Sequence, residues 1–407
     1  MKFSLNSIFR ACCYMSLAIS FLPVVDYYCP WYITIIPAAI ALGITLYKDR
    51  NVYPLIIALF SILGLWFLTY WVIYRDHPIA NNLINFIISF IPCILAIQAN
   101  RTVTDKDFFE GYLKTMSIFV GITCITTIIG LIIYPMASRQ LASGSAIWDT
   151  ERYTRINIGG YEFIYALVLL IPVFLWLIKR ARGLWKAIYI IILTLDICCI
   201  YASQYTIALV CAVVALIVVA LQNNQKLAWI CTILIAIFLL FNGLSLLGKM
   251  FYWVSDIVDQ EYVSDRLLQL AQLFSGQTVS TETSSERLDH YFNQVNEFLN
   301  SPVLGHNLLE YSNTHVSGHS LFLDLAGGAG IFGVSVLIFL IQKLYRLAVN
   351  PSKQRVLPHI RSLWIMAILL ALLNPIIFST TLTVVFMGCM CMNQLNGLEF
   401  SMSERGC

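Results

Sequence analysis

Long runs of apolar residues, separated by shorter polar segments, recur from residue 11 to residue 396. Each run is close to the ~20 residues that an α-helix needs to cross a bilayer. The pattern predicts an all-α fold, a polytopic transmembrane helical bundle of about 12 spans. The predicted spans are residues 11–28, 31–47, 53–74, 83–98, 113–134, 162–178, 187–202, 205–221, 227–247, 319–342, 362–377 and 382–396.

The last two spans belong to one apolar run that is interrupted at Asn374 and Pro375. Proline breaks a helix because it lacks an N–H donor and its ring clashes with the preceding turn. A kink within one helix and a full reversal between two helices are both compatible with this pattern.

Two polar segments are longer than the others, at residues 135–161 and 248–318. They divide the chain into three parts. The first nine spans lie within residues 1–247, the large loop covers 248–318, and the last three spans and a short polar terminus lie within 319–407.

The large loop is itself expected to be partly helical. Apolar residues recur at helical spacing over residues 284–299, which predicts an amphipathic helix. Ser284 or Ser285 provides its N-cap. A second helix is predicted at residues 257–274, and we expect both helices to lie on the membrane surface above a cavity.

Basic residues are distributed unequally between the two sides of the predicted membrane. With the N-terminus inside, 18 of the 25 Lys and Arg residues lie in inner segments and 7 lie outside. Because Lys and Arg near the ends of spans favour the cytoplasm, this orientation is the expected one. Both termini are then cytoplasmic, and segments 135–161 and 248–318 are on the opposite side.

The composition agrees with a membrane protein, since 59% of the residues are hydrophobic and only 12% are charged. A soluble domain has about 25% charged residues. No basic stripe meets aromatic residues on a polar surface, which argues against nucleic-acid binding. The large loop has no cysteine, so we interpret the cysteines of the apolar runs as packing residues. A metal site at Cys389 and Cys391 is the alternative.

Three arginines of the outer segments are candidates for binding an anion. Arg287 lies in the first turn of the predicted loop helix, where unpaired N–H groups and the helix dipole favour an anion. Arg152 and Arg155 precede Gly159 and Gly160 at the mouth of a span. A guanidinium pairs with phosphate oxygens through two donors. The alternative for Arg287 is a surface ion pair with Glu286, Asp289 or a lipid headgroup. The alternative for the other two arginines is an ordinary juxtamembrane charge cluster with Asp149 and Glu151.

Two histidines, His315 and His319, lie where the large loop re-enters the membrane. A histidine at a wet membrane edge exchanges a proton near neutral pH, so each is a candidate general base. The alternative is a capping or interfacial role. Gly327, Gly330 and Gly333 follow, and glycine at every third position lets neighbouring helices approach closely.

Asp196 and Asp324 are acidic residues within predicted spans. An intramembrane carboxylate is by default a functional candidate. Asp324 follows His319 by five residues and is expected to line a cavity beneath the site. Pairing with a polar group at a helix interface is the alternative for both carboxylates.

Taken in order, these segments resemble the bacterial O-antigen polymerase and O-antigen ligase superfamily over about residues 150–340. The matching elements are Arg155–Gly159 before a span, Ser285–Tyr291 at the start of the loop helix, Asn300–Gly305 at its end, and His319–Ser320 before the glycines. One departure is Ser203–Thr206, where such proteins often carry an arginine. Arg152 or Arg266 is expected to replace it.

The resemblance implies a metal-independent membrane glycosyltransferase that needs no cofactor and uses an undecaprenyl-diphosphate-linked glycan as donor. By that analogy, His319 is the general base that deprotonates the acceptor sugar hydroxyl. The diphosphate is bound by Arg287, Arg155 and Arg152. The supporting residues are His315, Arg266 and Asp324.

Within the superfamily, we expect an O-antigen polymerase that joins lipid-linked repeat units at the periplasmic face of a bacterial inner membrane. Its partners would be lipid-linked donor and acceptor glycans, membrane lipid and a chain-length regulator protein. A ligase that moves the glycan to the lipid A core is the alternative. A transporter or flippase is less favoured because no clear internal repeat occurs, and a non-catalytic assembly protein is a further alternative.

Overall fold

The computed structural model describes residues 5–29, 89–103, 105–143, 147–222, 243–257, 292–305, 320–349, 358–374 and 378–405, with single positions between 36 and 47 and between 264 and 271. Within these residues all regular secondary structure is helical and no strand occurs. The all-α prediction is therefore confirmed. Predicted spans 53–74 and most of 227–247 lie outside the described residues, so the number of spans stays a prediction. The same holds for most of the large loop.

Most of the described helices follow the apolar runs, and two further helices lie in the polar segment 135–161, where none was predicted. They are α1 (Leu5–Phe21), α2 (Pro23–Tyr28), α3 (Ile91–Thr102), α4 (Lys106–Ile133), α5 (Ala137–Ser143), α6 (Ile147–Arg155), α7 (Tyr161–Arg180), α8 (Leu184–Ala202), α9 (Thr206–Gln222), α10 (Gly243–Ile257), α11 (292–300), α12 (Leu321–Val349), α13 (Pro358–Leu373), α14 (Ser379–Leu382) and α15 (Cys389–Arg405). A π-helical turn, Thr383–Gly388, joins α14 to α15.

Four of the described helices, α4, α7, α8 and α12, are long and apolar enough to cross a membrane. Shorter apolar helices are α1, α13 and most of α9. An α-helix satisfies the hydrogen bonds of its own backbone, as the bilayer core requires. The described part of the chain therefore has the character of a membrane protein.

Helix α7 lies at the centre of the bundle. Its residues from Phe163 to Phe174 are all buried, and it packs against α8, α9 and α13. A helix that is apolar on every face is stable only when it is surrounded. By contrast, α4 and α8 expose Ile132 and Ile191, which are side chains suited to contact with lipid.

Ten cysteines lie among the described residues, and all ten are free thiols. Eight of them, including Cys389 and Cys391, are buried. This agrees with the interpretation of the cysteines as packing residues. No group of three or more potential metal ligands occurs in the part of the chain that the structure describes.

The two ends of the bundle gather different residues, and we name each end by one arginine. The Arg180 end contains the last turn of α7, the start of α4 and an ion pair of 2.8 Å between Arg10 and Asp105. The Arg155 end contains α2, the last turn of α6 and the start of α7. In the orientation expected from the charges, the Arg180 end is the cytoplasmic one.

Helix α4 begins where Asp105 caps it. The Asp105 carboxylate accepts the backbone N–H of Asp107 at 2.9 Å, which satisfies one of the unpaired donors of the first turn. This hydrogen bond, together with the guanidinium of Arg10, holds the pKa of Asp105 below its usual range. The cap and the ion pair tie the start of α4 to α1.

The chain reverses direction between α13 and α15. Asn374, directly after α13, accepts a hydrogen bond of 2.8 Å from the hydroxyl of Tyr161, the first residue of α7. Farther along, Leu395 of α15 lines a cavity together with Arg180, at the opposite end of α7. The break at Asn374 is therefore a reversal between two helices, and not a kink within one.

Helix α12 is broken at Gly330, whose φ of 62° and ψ of −167° lie outside the helical region. The segment that follows α11 fills the break. The N–H of Ile331 donates to the carbonyl of Pro302 at 2.8 Å, and the N–H of Phe332 donates to the carbonyl of Val303 at 3.1 Å. These bonds satisfy donors that the interrupted helix leaves unpaired, so the end of the loop is docked into α12.

The glycines of α12 make this docking sterically possible. A Cβ at Gly330 would come within 2.5 Å of the backbone of Val303, and Gly327 lies against the side chain of Gln294 in α11. On the loop side, Gly305 lies against the α12 backbone. Gly327 and Gly330 are thus in close contact with the end of the large loop, whereas a Cβ at Gly333 would meet, among the described residues, side chains of α12 itself.

Candidate functional site

A buried asparagine, Asn157, organises the Arg155 end. It follows α6 in a left-handed backbone conformation with φ 63°, which asparagine adopts more readily than most residues. Its side-chain oxygen accepts the backbone N–H of Val24 at 3.1 Å, and its amide donates to the hydroxyls of Thr123 at 3.1 Å and Thr126 at 3.0 Å. One side chain thus joins α2, α4 and the turn before α7.

The backbone of this turn is held by hydroxyl groups as well. The N–H of Gly159 donates to Thr127 at 2.8 Å, and its carbonyl accepts from Ser138 at 3.0 Å. The hydroxyl of Thr126 donates to the carbonyl of Asn157 at 2.7 Å. Buried polar groups are costly when unpaired, so these bonds select one conformation. The segment Arg155–Gly159 is therefore a structural clamp that fixes the end of α6 against α4.

Arg155 lies exposed at the end of α6, where a tyrosine holds its guanidinium. The Nε of Arg155 donates to the hydroxyl of Tyr28 at 3.0 Å, and the rings of Tyr27 and Tyr28 pack edge to face at 5.0 Å. The hydrogen bond to Tyr28 and the electrostatic effect of both phenol groups raise the pKa of Arg155. The guanidinium is therefore charged throughout the physiological pH range.

Arg152, one turn earlier on α6, is held by a second tyrosine. Its guanidinium carbon lies 4.7 Å from the centroid of the Tyr134 ring, a cation–π distance. The same guanidinium donates to the Tyr134 hydroxyl. Tyr134 in turn packs against Tyr153, with 5.5 Å between the ring centroids. This tilted pair of tyrosine rings thus sets the direction of the Arg152 side chain.

The two arginines of α6 are bound to phenols, and among the described residues no carboxylate forms an ion pair with either. The pairing with Glu151 that the sequence allowed is not formed. The side chain of Asp149 lies outside the described residues. Two positive charges therefore lie on the last turn of one helix with no described carboxylate to neutralise them, and an arrangement of this kind attracts an anion.

Asp324 has a structural role at the start of α12. Its carboxylate accepts the backbone N–H of Ser320 at 3.4 Å, and the Ser320 hydroxyl accepts the N–H of Leu323 at 3.3 Å. These reciprocal contacts cap the first turn of the helix. The cap accounts for an acidic residue inside a predicted span, and a supporting role in chemistry stays a prediction.

Asp196 is completely buried within α8. Neither carboxylate oxygen has a hydrogen-bond partner within the described part of the chain. The neighbouring titratable groups are the thiols of Cys124 and Cys199, which places the carboxylate where α8 meets α4. No described contact joins it to Arg152 or Arg155, so it is not part of the same cluster.

The remaining predicted site residues lie outside the described part of the chain: His319, His315, Arg287 and Arg266. The predicted convergence of these residues with Arg155 therefore stays a prediction. The neighbour of His319, Ser320, is described, and it is buried at the start of α12.

Aromatic residues add a second cluster at the Arg155 end. Tyr161, which donates to Asn374, has its ring 4.6 Å from Tyr165 and 5.8 Å from Tyr205, between centroids. Phe378, at the start of the last helical segment, lies 5.9 Å from the same ring. The Asn374 amide nitrogen is buried and has no hydrogen-bond partner among the described residues.

The sequence contains a signal for the clamp around Asn157, although the apolar pattern that predicts the spans does not reveal it. Thr123, Thr126 and Thr127 form a hydroxyl stripe at helical spacing within an otherwise apolar span. Polar groups on one face of a membrane helix indicate a polar partner, and that partner is the segment around Asn157. The tyrosine partners of Arg152 and Arg155 had no comparable signal, because they come from segments distant in sequence.

Comparison with known proteins identified no relative. No family model, no curated protein and no solved structure matches the chain. The function therefore has to be inferred from the residues and their geometry.

Proposed function

We propose that this protein is a membrane glycosyltransferase that polymerises undecaprenyl-diphosphate-linked oligosaccharide repeat units into O-antigen or a related surface polysaccharide. The observation that supports it best is the pair Arg152 and Arg155, which tyrosines hold at one end of the bundle. No described carboxylate pairs with either arginine, and two such charges are suited to a diphosphate. The face concerned would be the periplasmic one of a bacterial inner membrane.

In the proposed reaction, the acceptor sugar hydroxyl attacks the anomeric carbon of the donor. His319 takes the hydroxyl proton, the new glycosidic bond forms, and the bond between the anomeric carbon and the phosphate oxygen breaks. Undecaprenyl diphosphate leaves with the electron pair. Arg155, Arg152 and Arg287 stabilise the negative charge that develops on it, an electrostatic effect that contributes several kcal/mol in a dry site.

The clamp around Asn157 supports this proposal because electrostatic catalysis requires preorganised groups. A guanidinium on a mobile loop would have to be reoriented during the reaction, and the free energy of that movement would offset much of its stabilising effect on the developing charge. Here the last turn of α6 is tied to α2 and α4 by buried hydrogen bonds. Arg155 and Arg152 therefore project from a rigid support.

The break in α12 favours a second candidate, a transporter or flippase, because discontinuous helices often surround transported substrates. In such proteins the free N–H groups of the half-helix face the substrate. Here the N–H groups of Ile331 and Phe332 already donate to loop carbonyls. The break is thus filled by protein, and we keep transport as the less favoured proposal.

The test is polymerisation by the purified protein supplied with lipid-linked repeat units. We expect Arg155→Gln and Arg152→Gln each to lower the polymerisation rate about 10²-fold, because loss of one charge-stabilising donor typically has that effect. His319→Ala is expected to abolish polymer and leave single lipid-linked units. The matched control is Arg346→Gln, an exposed arginine of α12, which is expected to polymerise at the wild-type rate.

Two outcomes would contradict the proposal. Wild-type rates in both α6 variants would show that these arginines do not bind the diphosphate. Polymer formation by His319→Ala would show that His319 is not the general base. Transport is separated from transfer in vesicles by following the lipid-linked units and the glycan length together. Movement of units between leaflets at unchanged glycan length supports the transporter.

A further inference from the structure

The end of the large loop, residues 292–305, has an apolar face that no described part of the chain covers. Its exposed apolar side chains are Phe292, Val295, Leu299, Val303 and Leu304. Leu299 is 65% exposed and Val303 is 64% exposed. An apolar patch of this kind indicates contact with a partner or with a membrane.

The rest of the α11 surface divides into two other faces. At about 100° per residue, Asn293, Asn296 and Asn300 fall together on a polar face, and all three are exposed. Gln294 is buried and contacts Gly327 of α12. A helix that exposes one apolar face and one polar face is typical of a membrane interface.

The loop end is docked partway along a helix that is long and apolar enough to cross a membrane. Its hydrogen bonds reach Ile331 and Phe332, directly after the break at Gly330. No charged residue occurs from there to Lys343, and this stretch of helix is about 20 Å long at 1.5 Å per residue. A hydrocarbon core is about 30 Å thick, so with Lys343 at one surface Gly330 lies about 10 Å inside the other.

The irregular backbone after α11 suits this depth. Non-helical backbone occurs within a membrane only where protein or water pairs its polar groups. The carbonyls of Pro302 and Val303 accept hydrogen bonds from α12. The N–H of Gly305 donates to the carbonyl of Ser301 at 2.9 Å, and the Ser301 hydroxyl donates to the carbonyl of Gly305 at 3.0 Å. These bonds lower the cost of placing the segment in an apolar surrounding.

The apolar face of the loop end adjoins exposed apolar residues of α12. Ile331 and Phe332, which are hydrogen-bonded to the loop end, are themselves exposed. Farther along the same helix, Ile338 and Phe339 are exposed as well. Acyl chains that surround a membrane-spanning α12 therefore also reach the loop end.

The break in α12 lies in the half of the helix that faces the Arg155 end. Asn100, at the end of α3 and a few residues before Asp105, donates to the carbonyl of Leu347 at 3.0 Å. Leu347 is in the last turn of α12, so this turn belongs to the Arg180 end. The leaflet next to the loop end is therefore the one at the Arg155 end.

We propose that residues 292–305 are inserted into the leaflet at the Arg155 end. The apolar face that contains Leu299 and Val303 contacts lipid acyl chains, and the asparagine face of α11 is directed towards headgroups and water. The remainder of the large loop and a second copy of the chain are the other occupants that would cover an apolar face. The depth of the docking point favours lipid. The proposal does not depend on the transferase function.

Photolabelling of the unmodified full chain tests the lipid contact. The protein is reconstituted in liposomes of phosphatidylcholine, part of which carries a diazirine on an acyl chain, and labelled peptides are mapped by mass spectrometry after irradiation. We expect label within residues 292–304. The exposed face of α4 around Ile132 is the positive control. The buried part of α7 around Leu169 is the negative control and is expected to stay unlabelled.

A matched pair of spin labels tests the orientation of α11. A nitroxide is attached through a non-natural amino acid at Leu299 or at Asn300, which are adjacent in sequence but lie on different faces. Collision rates are measured with oxygen, which concentrates in the hydrocarbon, and with a water-soluble nickel complex. We expect a higher ratio of oxygen to nickel collisions at Leu299 than at Asn300. The melting temperature of each labelled protein shows that it is folded.

Absence of label within residues 292–304, in a sample where the Ile132 peptide is labelled, would overturn the proposal. A higher nickel than oxygen collision rate at Leu299 would show that this face contacts water. Low rates with both reagents would show that protein covers it, and spin–spin broadening would identify that protein as a second copy. Equal collision ratios at Leu299 and Asn300 would contradict the orientation of α11.

Discussion

Asn157 meets three requirements that few other residues meet together. It has a positive φ, its side chain is buried, and that side chain both accepts and donates hydrogen bonds. Aspartate lacks the donor, and threonine and glutamine are disfavoured at positive φ. The position of Arg155, two residues earlier, depends on this one side chain.

We expect Asn157→Ala to lower the free energy of unfolding by about 2–4 kcal/mol. The variant removes three hydrogen bonds, and alanine has no polar side chain to stabilise a positive φ. Asn157→Gly loses the same bonds but adopts φ 63° freely, so its loss is expected to be about 1 kcal/mol smaller. Thermal unfolding in detergent measures both.

The control for these variants is Thr194→Ala on α8, whose hydroxyl donates, among the described residues, to the carbonyl of Ile190 within its own helix. It is expected to melt close to the wild type. A melting temperature of Asn157→Ala that matches this control would contradict the clamp.

At the scale of elements, α12 consists of two helical segments, and the end of the large loop is hydrogen-bonded to the helix at the break between them. The loop carbonyls of Pro302 and Val303 replace the carbonyl partners that the break removes. This couples the loop to a transmembrane helix whose first turn follows His319. The arrangement holds the described end of the loop, residues 292–305, against α12.

Gly330→Ala tests this coupling. The new Cβ would meet the Val303 backbone at 2.5 Å and would also strain the positive φ, so we expect a loss of about 2–4 kcal/mol in unfolding free energy. Undocking is also expected to expose the loop end to protease. Limited proteolysis and thermal unfolding are the measurements.

Gly388→Ala is the matched control, since its Cβ would meet Val173 only at an ordinary contact distance of 3.9 Å. We expect it to behave as the wild type. If both glycine variants are equally stable and equally resistant to protease, the loop is not docked through Gly330.

At the scale of the whole molecule, the two ends have different chemistry. Among the described residues, ion pairs and an excess of basic residues collect at the Arg180 end. Tyrosines, hydroxyls and the two arginines of α6 collect at the Arg155 end. The positive excess favours the cytoplasmic side for the Arg180 end.

Fusions to reporter proteins test this orientation together with the reversal after α13. Alkaline phosphatase joined after residue 374 is expected to be active, because that residue lies at the Arg155 end. Green fluorescent protein joined to the C-terminus is expected to fluoresce, because α15 leads back to the Arg180 end. An active phosphatase after residue 374 together with a C-terminal fusion that does not fluoresce would place both points on the same side and would contradict the reversal.

The pattern of apolar and polar residues was sufficient to predict the long apolar helices, because each of them depends on local composition and length. It also placed Asp324 near the start of a span, but it predicted no helix for residues 147–155, on which Arg152 and Arg155 lie. Charge distribution, which is likewise a property of the chain alone, favoured one orientation.

Tertiary structure alone decided the contacts that give these residues their roles. The partners of Asn157 come from α2 and α4, the partners of Arg155 and Arg152 are tyrosines far away in the chain, and the break of α12 is filled by loop carbonyls. The reversal at Asn374 likewise follows from a contact with the start of α7. Local pattern carries no information on such pairings, because a hydrogen bond between distant segments depends on how the whole bundle brings them together.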